Sequence, residues 1–436
     1  MKETFNLTYL GLFPLGKSPS GKGMGINMKI ATIIAEYNPF HNGHRYQIEE
    51  TRRLTGADYI LIVMSGDFVQ RGGPALCNKY LRTRMALAGG ADAVLELPSL
   101  YALSSAEFFA GGGITLLNQL GVVDYLSFGS ETGDVSLLME YAGHLLDASS
   151  DFDALLKSYL QKGFSYPYAR SKAIAADNCN LPSSPNDILG IEYCKALIAS
   201  QSSICPFTLK RRDAGYHETS FDAGSEYASA SAIRSLLPMR LEAIRSYVPS
   251  ETYQLLSDSH NYAYIVREND YSGLLHYKLL SNKKTGFASY LDCTPDLSDK
   301  ICKNIPLYTG FSDFCNLLKS RDLTYTRISR VLMHILLDIK TPEFYQKSLN
   351  ERTLFVPYAR LLGFRQSACG ILSEIKKHSS IPLISKPANA SSLLDENAYA
   401  GFEQDVYCAS VYESVLLSKF HTEPLNEWKQ SPIILP

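Results

Sequence analysis

The chain has 436 residues, of which 45% are hydrophobic and 20% charged, so it has an ordinary globular composition and enough length for about two or three domains. Its 42 Lys and Arg residues nearly balance its 44 Asp and Glu residues, which excludes a uniformly basic chain, so an RNA partner would need a local basic face. The nine cysteines form no C-x-x-C pair and no Cys/His cluster, which argues against a disulfide framework and a structural zinc site.

The first 27 residues have no sustained periodicity. A short apolar run at residues 10–13 is followed by Gly-, Ser-, Pro- and Lys-rich sequence, which is too interrupted for a signal peptide. We expect residues 1–27 to be a disordered extension, with Met28 as a candidate start of the biological chain. No stretch reaches the roughly 18 consecutive apolar residues of a membrane span, so the sequence predicts a soluble, cytoplasmic protein.

From residue 28 onward, apolar runs alternate with amphipathic stretches. The pattern predicts strands at residues 30–35, 59–64, 93–97 and 125–128, and helices at residues 44–54, 81–88 and 105–120. Strands and helices in this order indicate an α/β domain with a Rossmann-like parallel sheet covered on both faces. Ligands of such sheets bind beyond the carboxyl ends of the strands, which selects residues 36–44, 65–73, 97–103 and 129–131.

The alternation ends in the middle of the chain. Helices are predicted at residues 137–146, 153–160 and 187–198, followed by a strand at residues 206–210. Beyond residue 238 the patterns are mostly helical. We therefore expect a catalytic α/β domain at residues 28–240 and a mostly helical domain at residues 241–436.

The strongest chemical signal is the sequence EYNPFHNGH at residues 36–44, between the first strand and the first helix. Gly43 allows a ligand to approach the backbone, and the free amides at the start of a helix favour a phosphate. His41 and His44 lie three apart on one side of the helix start, so both can donate hydrogen bonds to an α-phosphate during adenylyl transfer. The alternative interpretation is that one histidine caps the helix and the other packs on the sheet.

The turn from His41 to His44 resembles the H-x-G-H signature of the nucleotidyltransferase superfamily. Together with GDFVQRGGPA at residues 66–75, SPNDILGIEY at residues 184–193 and AGYH at residues 214–217, it is similar to the bacterial tRNA(Met) cytidine acetate ligase family. The similarity runs from residue 28 nearly to the C-terminus. It implies an HUP-type nucleotidyltransferase domain and a ligase that converts acetate and ATP into acetyl-adenylate and pyrophosphate. The acetyl group would then pass to N4 of the wobble cytidine of elongator tRNA(Met).

The resemblance also implies the site residues. His41 and His44 are the expected catalytic residues, and ATP is the expected substrate, with Mg²⁺ as a candidate companion ion and no metal site built by the protein. The ATP site would comprise Ile34, Ala35, Glu36, Tyr37, Asn38, Pro39, Phe40, His41, Asn42, Gly43, His44, Arg45, Tyr46, Gln47, Gly129, Asn186 and Arg211.

Three of these positions have plausible separate roles. Gly129 ends a strand where a side chain would obstruct an adenosine, Asn186 can recognise a base or ribose, and Arg211 can hold phosphate oxygens. The alternatives are a turn glycine, a helix N-cap and a surface arginine. The adjacent Arg212 is an equally available phosphate contact.

A later element, SASAIR at residues 229–234, resembles the S-x-T-x-I-R element that approaches the β- and γ-phosphates, with Ser231 at the Thr position. Ser229, Ser231 and Arg234 are therefore candidate phosphate contacts; otherwise Ser229 is a simple cap and Arg234 a solvated residue. Asp67 and Asp187 stand where the family is expected to have Asn, which argues against direct phosphate contacts by their side chains.

Basic residues are the candidates for the contacts with acetate, pyrophosphate and tRNA. Arg71 is a candidate for acetate binding, and Lys79, Arg82 and Arg84 could hold pyrophosphate or RNA or form a solvated helix face. Arg327 and Arg330, among tyrosines, are candidates for the tRNA backbone.

Two other functional classes stay open at this point. One is an adenylyltransferase that acts on a small molecule with the same H-x-G-H chemistry. The other is a non-catalytic, ATP-regulated RNA-binding protein, against which the presence of both His41 and His44 argues.

Overall fold

The computed structural model describes residues 28–147, 154–155, 158–159, 161, 172, 182, 184–211, 226–237, 241–258, 265–321, 323–341 and 354–436. The predicted extension at residues 1–27, half of the predicted helix 153–160, the AGYH segment and Arg212 lie outside these residues.

A mixed eight-stranded sheet organises the fold. Its strands are β1 (Ile30–Ala35), β2 (Tyr59–Ser65), β5 (Ala93–Leu97), β6 (Tyr125–Ser130), β7 (Cys205–Lys210), β8 (Ala359–Arg365), β9 (Leu383–Ile384) and β10 (Ile433–Leu435), and a separate antiparallel hairpin pairs β3 (Phe68–Val69) with β4 (Gly73–Pro74). The strand order in the sheet is β10-β8-β5-β2-β1-β6-β7, with β9 paired to β8. The five strands predicted in the first half of the chain are confirmed, and they pair in parallel.

Helices cover both faces of the sheet. Those described are α1 (Asn42–Thr55), α2 (Lys79–Ala88), α3 (Ser99–Ala102), α4 (Ala106–Leu120), α5 (Val135–Asp147), α6 (Pro185–Ala199), α7 (Ala230–Leu236), α8 (Ser250–Ser257), α9 (Ser272–Asn282), α10 (Pro295–Asn304), α11 (Phe311–Leu318), α12 (Tyr325–Leu336), α13 (Cys369–His378), α14 (Ala390–Leu393) and α15 (Glu396–Phe420). Residues of α1, α2, α7 and α8 pack on one face, and residues of α4, α5, α6 and α13 pack on the other. Because both faces are covered, β2 is a continuous apolar run rather than an alternating one.

The second half of the chain is mostly helical, as predicted, but it also returns to the sheet. Strand β8 pairs antiparallel with β5, and β9 and β10 pair with β8, and the sequence analysis predicted none of these three strands. The core of α9 to α12 also includes Phe68 and Leu103 from the first half. The domain boundary near residue 240 stays a prediction, and strands from both sides of that residue belong to the same sheet.

No helix in the described part of the chain is long and apolar enough to cross a membrane.

Candidate active site

The two histidines of the H-x-G-H turn cap the start of α1. His41 is the N-cap residue, and its Nδ1 accepts a hydrogen bond from the Gly43 amide at 3.1 Å. In return, the His41 amide donates to Nδ1 of His44 at 3.2 Å. The alternative interpretation had only one histidine as a cap, whereas the structure has both in a reciprocal capping box.

These capping bonds fix the tautomer of both rings. Each Nδ1 accepts an N–H, so a neutral ring must carry its proton on Nε2. The two rings stack with their centroids 3.6 Å apart. The turn therefore places two Nε2–H donors side by side at the positive end of a helix, which is a suitable arrangement for an anionic phosphate.

The surroundings of His44 favour its neutral form. Burial lowers the pKa of His44 well below its ordinary value, and the neighbouring His41 ring and Arg211 guanidinium lower it further. The rings of Tyr37 and Phe40 lie 4.7 and 5.6 Å from the His44 ring and provide much of this apolar environment. His44 is thus a hydrogen-bond donor that stays uncharged at neutral pH.

The turn is held from several sides. The Asn42 side-chain amide donates to the Ser246 carbonyl at 2.9 Å, and the Asn42 backbone amide donates to the Tyr247 carbonyl at 3.0 Å. The Glu36 carboxylate accepts from the Gln70 amide at 3.0 Å, which ties the turn to the loop after β2.

The SASAIR element also braces the turn. Arg234 donates to the Asn38 carbonyl at 2.7 Å and to Ser231 Oγ at 3.0 Å. The interpretation of Arg234 as a solvated residue is therefore wrong, because the side chain is half-buried against the turn. Ser229 does cap α7, through its bond to the Ala232 amide.

The ends of β6 and β7 complete one side of the site. A Cβ on Gly129 would lie 3.4 Å from Cγ of Arg211, whose amide bonds to the Ser130 carbonyl at 2.9 Å. Because Arg211 also acts electrostatically on His44, the strand ends and the H-x-G-H turn face one space.

Asn186 does not cap α6, so that alternative is wrong. The N-cap is Ser184, with Pro185 at the first helical position. The Asn186 side-chain amide instead donates to the Glu131 carboxylate at 2.6 Å, and the same carboxylate accepts from the Asp187 amide at 3.0 Å. The sequence analysis did not assign a role to Glu131, although it lies in one of the selected strand-end segments.

Known proteins share this architecture. A profile of the HIGH Nucleotidyl Transferase family matches residues 28–427. The tRNA(Met) cytidine acetate ligase of Clostridium novyi (strain NT) is 41% identical over 94% of this chain and 100% of its own length. The tRNA(Met) cytidine acetate ligase of Geobacillus sp. (strain WCH70) is 35% identical over 94% of this chain and 100% of its own length. The chain belongs to the tRNA(Met) cytidine acetate ligase family.

Solved structures agree with this assignment. The crystal structure of Thermotoga maritima TmcAL bound with alpha-thio ATP matches with a TM-score of 0.84 at 29% identity, covering 94% of this chain and 100% of that chain. The apo crystal structure of Thermotoga maritima TmcAL matches with a TM-score of 0.86 at 30% identity over the same shares. The family and the fold expected from the motifs are confirmed.

Two basic residues predicted to reach pyrophosphate, RNA or solvent are instead buried in this family member. Lys79 forms ion pairs with Glu96 at 2.8 Å and Glu427 at 2.7 Å. Arg82 is fully buried and donates to backbone carbonyl groups. Both predictions were wrong, whereas Arg84 and Arg71 are exposed.

Arg327 and Arg330 lie together on α12. Their guanidinium groups are 3.3 and 3.7 Å from the carboxylate oxygens of Asp292. Between them, Ser329 donates to the Gly72 carbonyl at 2.5 Å, so α12 touches the hairpin loop that contains Arg71.

Among the residues described, no group of three or more His, Cys, Asp and Glu side chains could hold a metal ion.

Proposed function

We propose that this protein is an ATP-dependent ligase that acetylates N4 of the wobble cytidine of elongator tRNA(Met) through an acetyl-adenylate. The observation that carries the proposal is the stacked pair of His41 and His44 rings, with both Nε2–H groups at the start of α1 and with Arg211 nearby. The names of the curated relatives supply acetate and the cytidine of tRNA(Met) as substrates, and the alpha-thio ATP in the Thermotoga maritima structure supplies the nucleotide.

In the first step, an acetate oxygen attacks the α-phosphorus of ATP, and the bond from that phosphorus to the bridging oxygen of pyrophosphate breaks. Negative charge builds on the α-phosphoryl oxygens, where the two Nε2–H donors stabilise it. Because the pKa of His44 is depressed, this ring donates a hydrogen bond without transferring its proton. Mg²⁺ would accompany the β- and γ-phosphates.

The other proposed contacts with ATP and acetate surround the two histidines. Gly129 and Asn186 border the space proposed for the adenosine, and Arg211 lies on the phosphate side. Ser231 and Arg234 come from α7, and the Arg234 side chain, in the last turn of that helix, reaches the H-x-G-H turn by donating to the Asn38 carbonyl. Arg71, exposed on the hairpin loop, is the proposed partner of the acetate carboxylate.

In the second step, N4 of the cytidine attacks the acetyl carbonyl, AMP leaves and N4 loses a proton. Arg327 and Arg330 lie side by side against Asp292, and two guanidinium groups on one helix suit a tRNA phosphate. tRNA and ATP occur together in the cytoplasm, which is where we place the protein.

Acetate-dependent exchange of labelled pyrophosphate into ATP tests the first step without tRNA. We expect exchange with acetate and none without a carboxylate substrate. ATP binding without exchange would support the non-catalytic alternative, and nucleotidyl transfer to a small molecule in place of acetate would support the other. Either result would overturn the proposal.

A further inference from the structure

Arg82 is a buried arginine on α2 with an unusual set of partners. It occupies the core-facing position of a helix whose buried residues include Met85 and Ala86, and its side chain is 0% exposed. Its guanidinium donates to the carbonyl oxygens of Cys77 (3.0 Å), Glu36 (2.7 Å), Ser65 (3.0 Å) and Gly66.

All four of these acceptors are main-chain oxygens, so the bonds determine where the backbone lies. The planar guanidinium has five N–H donors in a rigid fork and can reach several carbonyl groups at once. A lysine ammonium is a single point on a flexible stem and cannot span the same set. Without the fork, buried carbonyl oxygens would lose their partners at a free-energy cost.

Three of the four carbonyl groups, those of Glu36, Ser65 and Gly66, belong to the two segments that form the centre of the site. Glu36 follows β1 and leads through Tyr37, which has a left-handed φ of 49°, to the H-x-G-H turn. Ser65 ends β2, and Gly66 begins the loop that carries Gln70 and Arg71. Ligands of a parallel sheet bind at these carboxyl ends.

We propose that Arg82 is a positioning residue for carboxylate activation, because it holds the H-x-G-H turn and the Gly66 loop at the separation that the reaction needs. A second tie supports the same geometry, since the Gln70 amide donates to the Glu36 carboxylate at 3.0 Å. Arg82 links the backbones of the two segments where they leave the strands. The Glu36 carboxylate links them again at Gln70, four residues farther along the Gly66 loop.

This inference rests on the proposed activation of acetate. If Arg82 sets the geometry between ATP on the turn and acetate on the loop, its loss affects the reaction more than the binding of ATP. A displacement of about 1 Å in reacting groups can lower a rate about 100-fold.

The test compares Arg82→Lys with Arg365→Lys. Arg365 is a matched control, because it also bonds to main-chain carbonyl groups near α2, at Leu87 (2.6 Å) and Ala91 (3.2 Å), but at the other end of that helix. Both variants are measured by acetate-dependent pyrophosphate exchange and by thermal unfolding. The exchange rate is divided by the concentration of ATP sites, which is determined by titration with a non-hydrolysable ATP analogue.

For Arg82→Lys we expect kcat to fall about 100-fold and the KM for acetate to rise, with the KM for ATP within about threefold of the wild-type value. Arg365→Lys should keep kcat and both KM values while its melting temperature falls. A kcat of Arg82→Lys near the wild-type value per titrated site, or an equal loss in Arg365→Lys, would overturn the inference. Absence of exchange in the wild-type protein would instead overturn the proposed function.

Gly66→Ala provides a second variant should Arg82→Lys fail to fold. A Cβ at Gly66 would lie 2.5 Å from Oε1 of Glu96, so one of the two must shift. Because Lys79 and Arg360 hold the Glu96 carboxylate, we expect the Gly66 peptide to move while Arg82 is retained. We expect the same fall in kcat and rise in the KM for acetate, and unchanged kinetics would overturn the inference.

Discussion

Substitutions at position 44 can separate the two roles of this histidine, which are capping α1 and donating a hydrogen bond to the phosphate. In His44→Asn, the side-chain oxygen can take the place of Nδ1 and still accept from the His41 amide, a bond of 3.2 Å in the structure. The Nε2–H donor is lost. In His44→Gln, the longer side-chain amide can place an N–H at the position of Nε2, but the capping bond from the His41 amide is lost.

The two losses have different expected sizes. A cap bond contributes about 1 kcal/mol to stability, whereas a donor to transition-state charge contributes about 3–4 kcal/mol to catalysis, or roughly 100- to 1000-fold in rate. Both variants lose the ring contacts with His41 (3.6 Å) and Tyr37 (4.7 Å), so these contacts largely cancel in the comparison.

We therefore expect His44→Asn to be the more stable variant and the less active one. The assay is acetate-dependent pyrophosphate exchange at saturating ATP, together with thermal unfolding of both proteins. An activity of His44→Asn within about tenfold of the wild type would refute the role of Nε2 as the phosphate donor. An activity of His44→Gln below that of His44→Asn would refute it as well.

Three further changes test other parts of the account. Gly129→Val should displace Arg211, whose Cγ lies 3.4 Å from the added Cβ, and should therefore weaken the binding of an ATP analogue measured by calorimetry. The control Gly143→Ala, which has no described atom within 4 Å of its Cβ, should bind the analogue as the wild type does. Equal affinities of the two variants would contradict this. Burial raises the pKa of Glu413 from its ordinary 4.5 to about 7, so its contribution to stability is lost as the pH rises from about 4.5 to about 7, and Glu413→Gln should flatten the melting temperature over that range; parallel curves would contradict this. The double variant Arg327→Gln/Arg330→Gln should bind tRNA more weakly than the wild type and with a shallower salt dependence, but it should keep pyrophosphate exchange. Equal loss of tRNA binding and pyrophosphate exchange would assign these arginines a structural role.

Periodicity was sufficient to predict the five sheet strands in the first half of the chain, although not the β3–β4 hairpin or the short helix α3. Strands such as β2 are continuous apolar runs between amphipathic helices, so local sequence and tertiary environment agree. Strand β8 was missed because its sequence, ARLLGFR, has a short apolar run between arginines, and its antiparallel partner β5 lies far away in the chain. Strand β10, with three residues, has too little pattern to recognise.

The H-x-G-H turn was predictable because its chemistry is local. The burial of Lys79 was not, since its partner Glu427 comes from the other end of the chain. Arg82 did carry a usable signal, because it lies three and four residues before the buried Met85 and Ala86, on the apolar face of α2. The helix-cap alternative for Asn186 could also have been excluded from the sequence, since a proline favours the first helical position and thus identifies Ser184 as the cap.

The most direct test of the central claim is a stoichiometric assay with the purified protein, ATP, labelled acetate and elongator tRNA(Met). The account predicts labelled N4-acetylcytidine at the wobble position, with one AMP and one pyrophosphate released for each acetyl group transferred. Acetylation that does not require ATP, or consumption of ATP and acetate that leaves the cytidine unmodified, would contradict it.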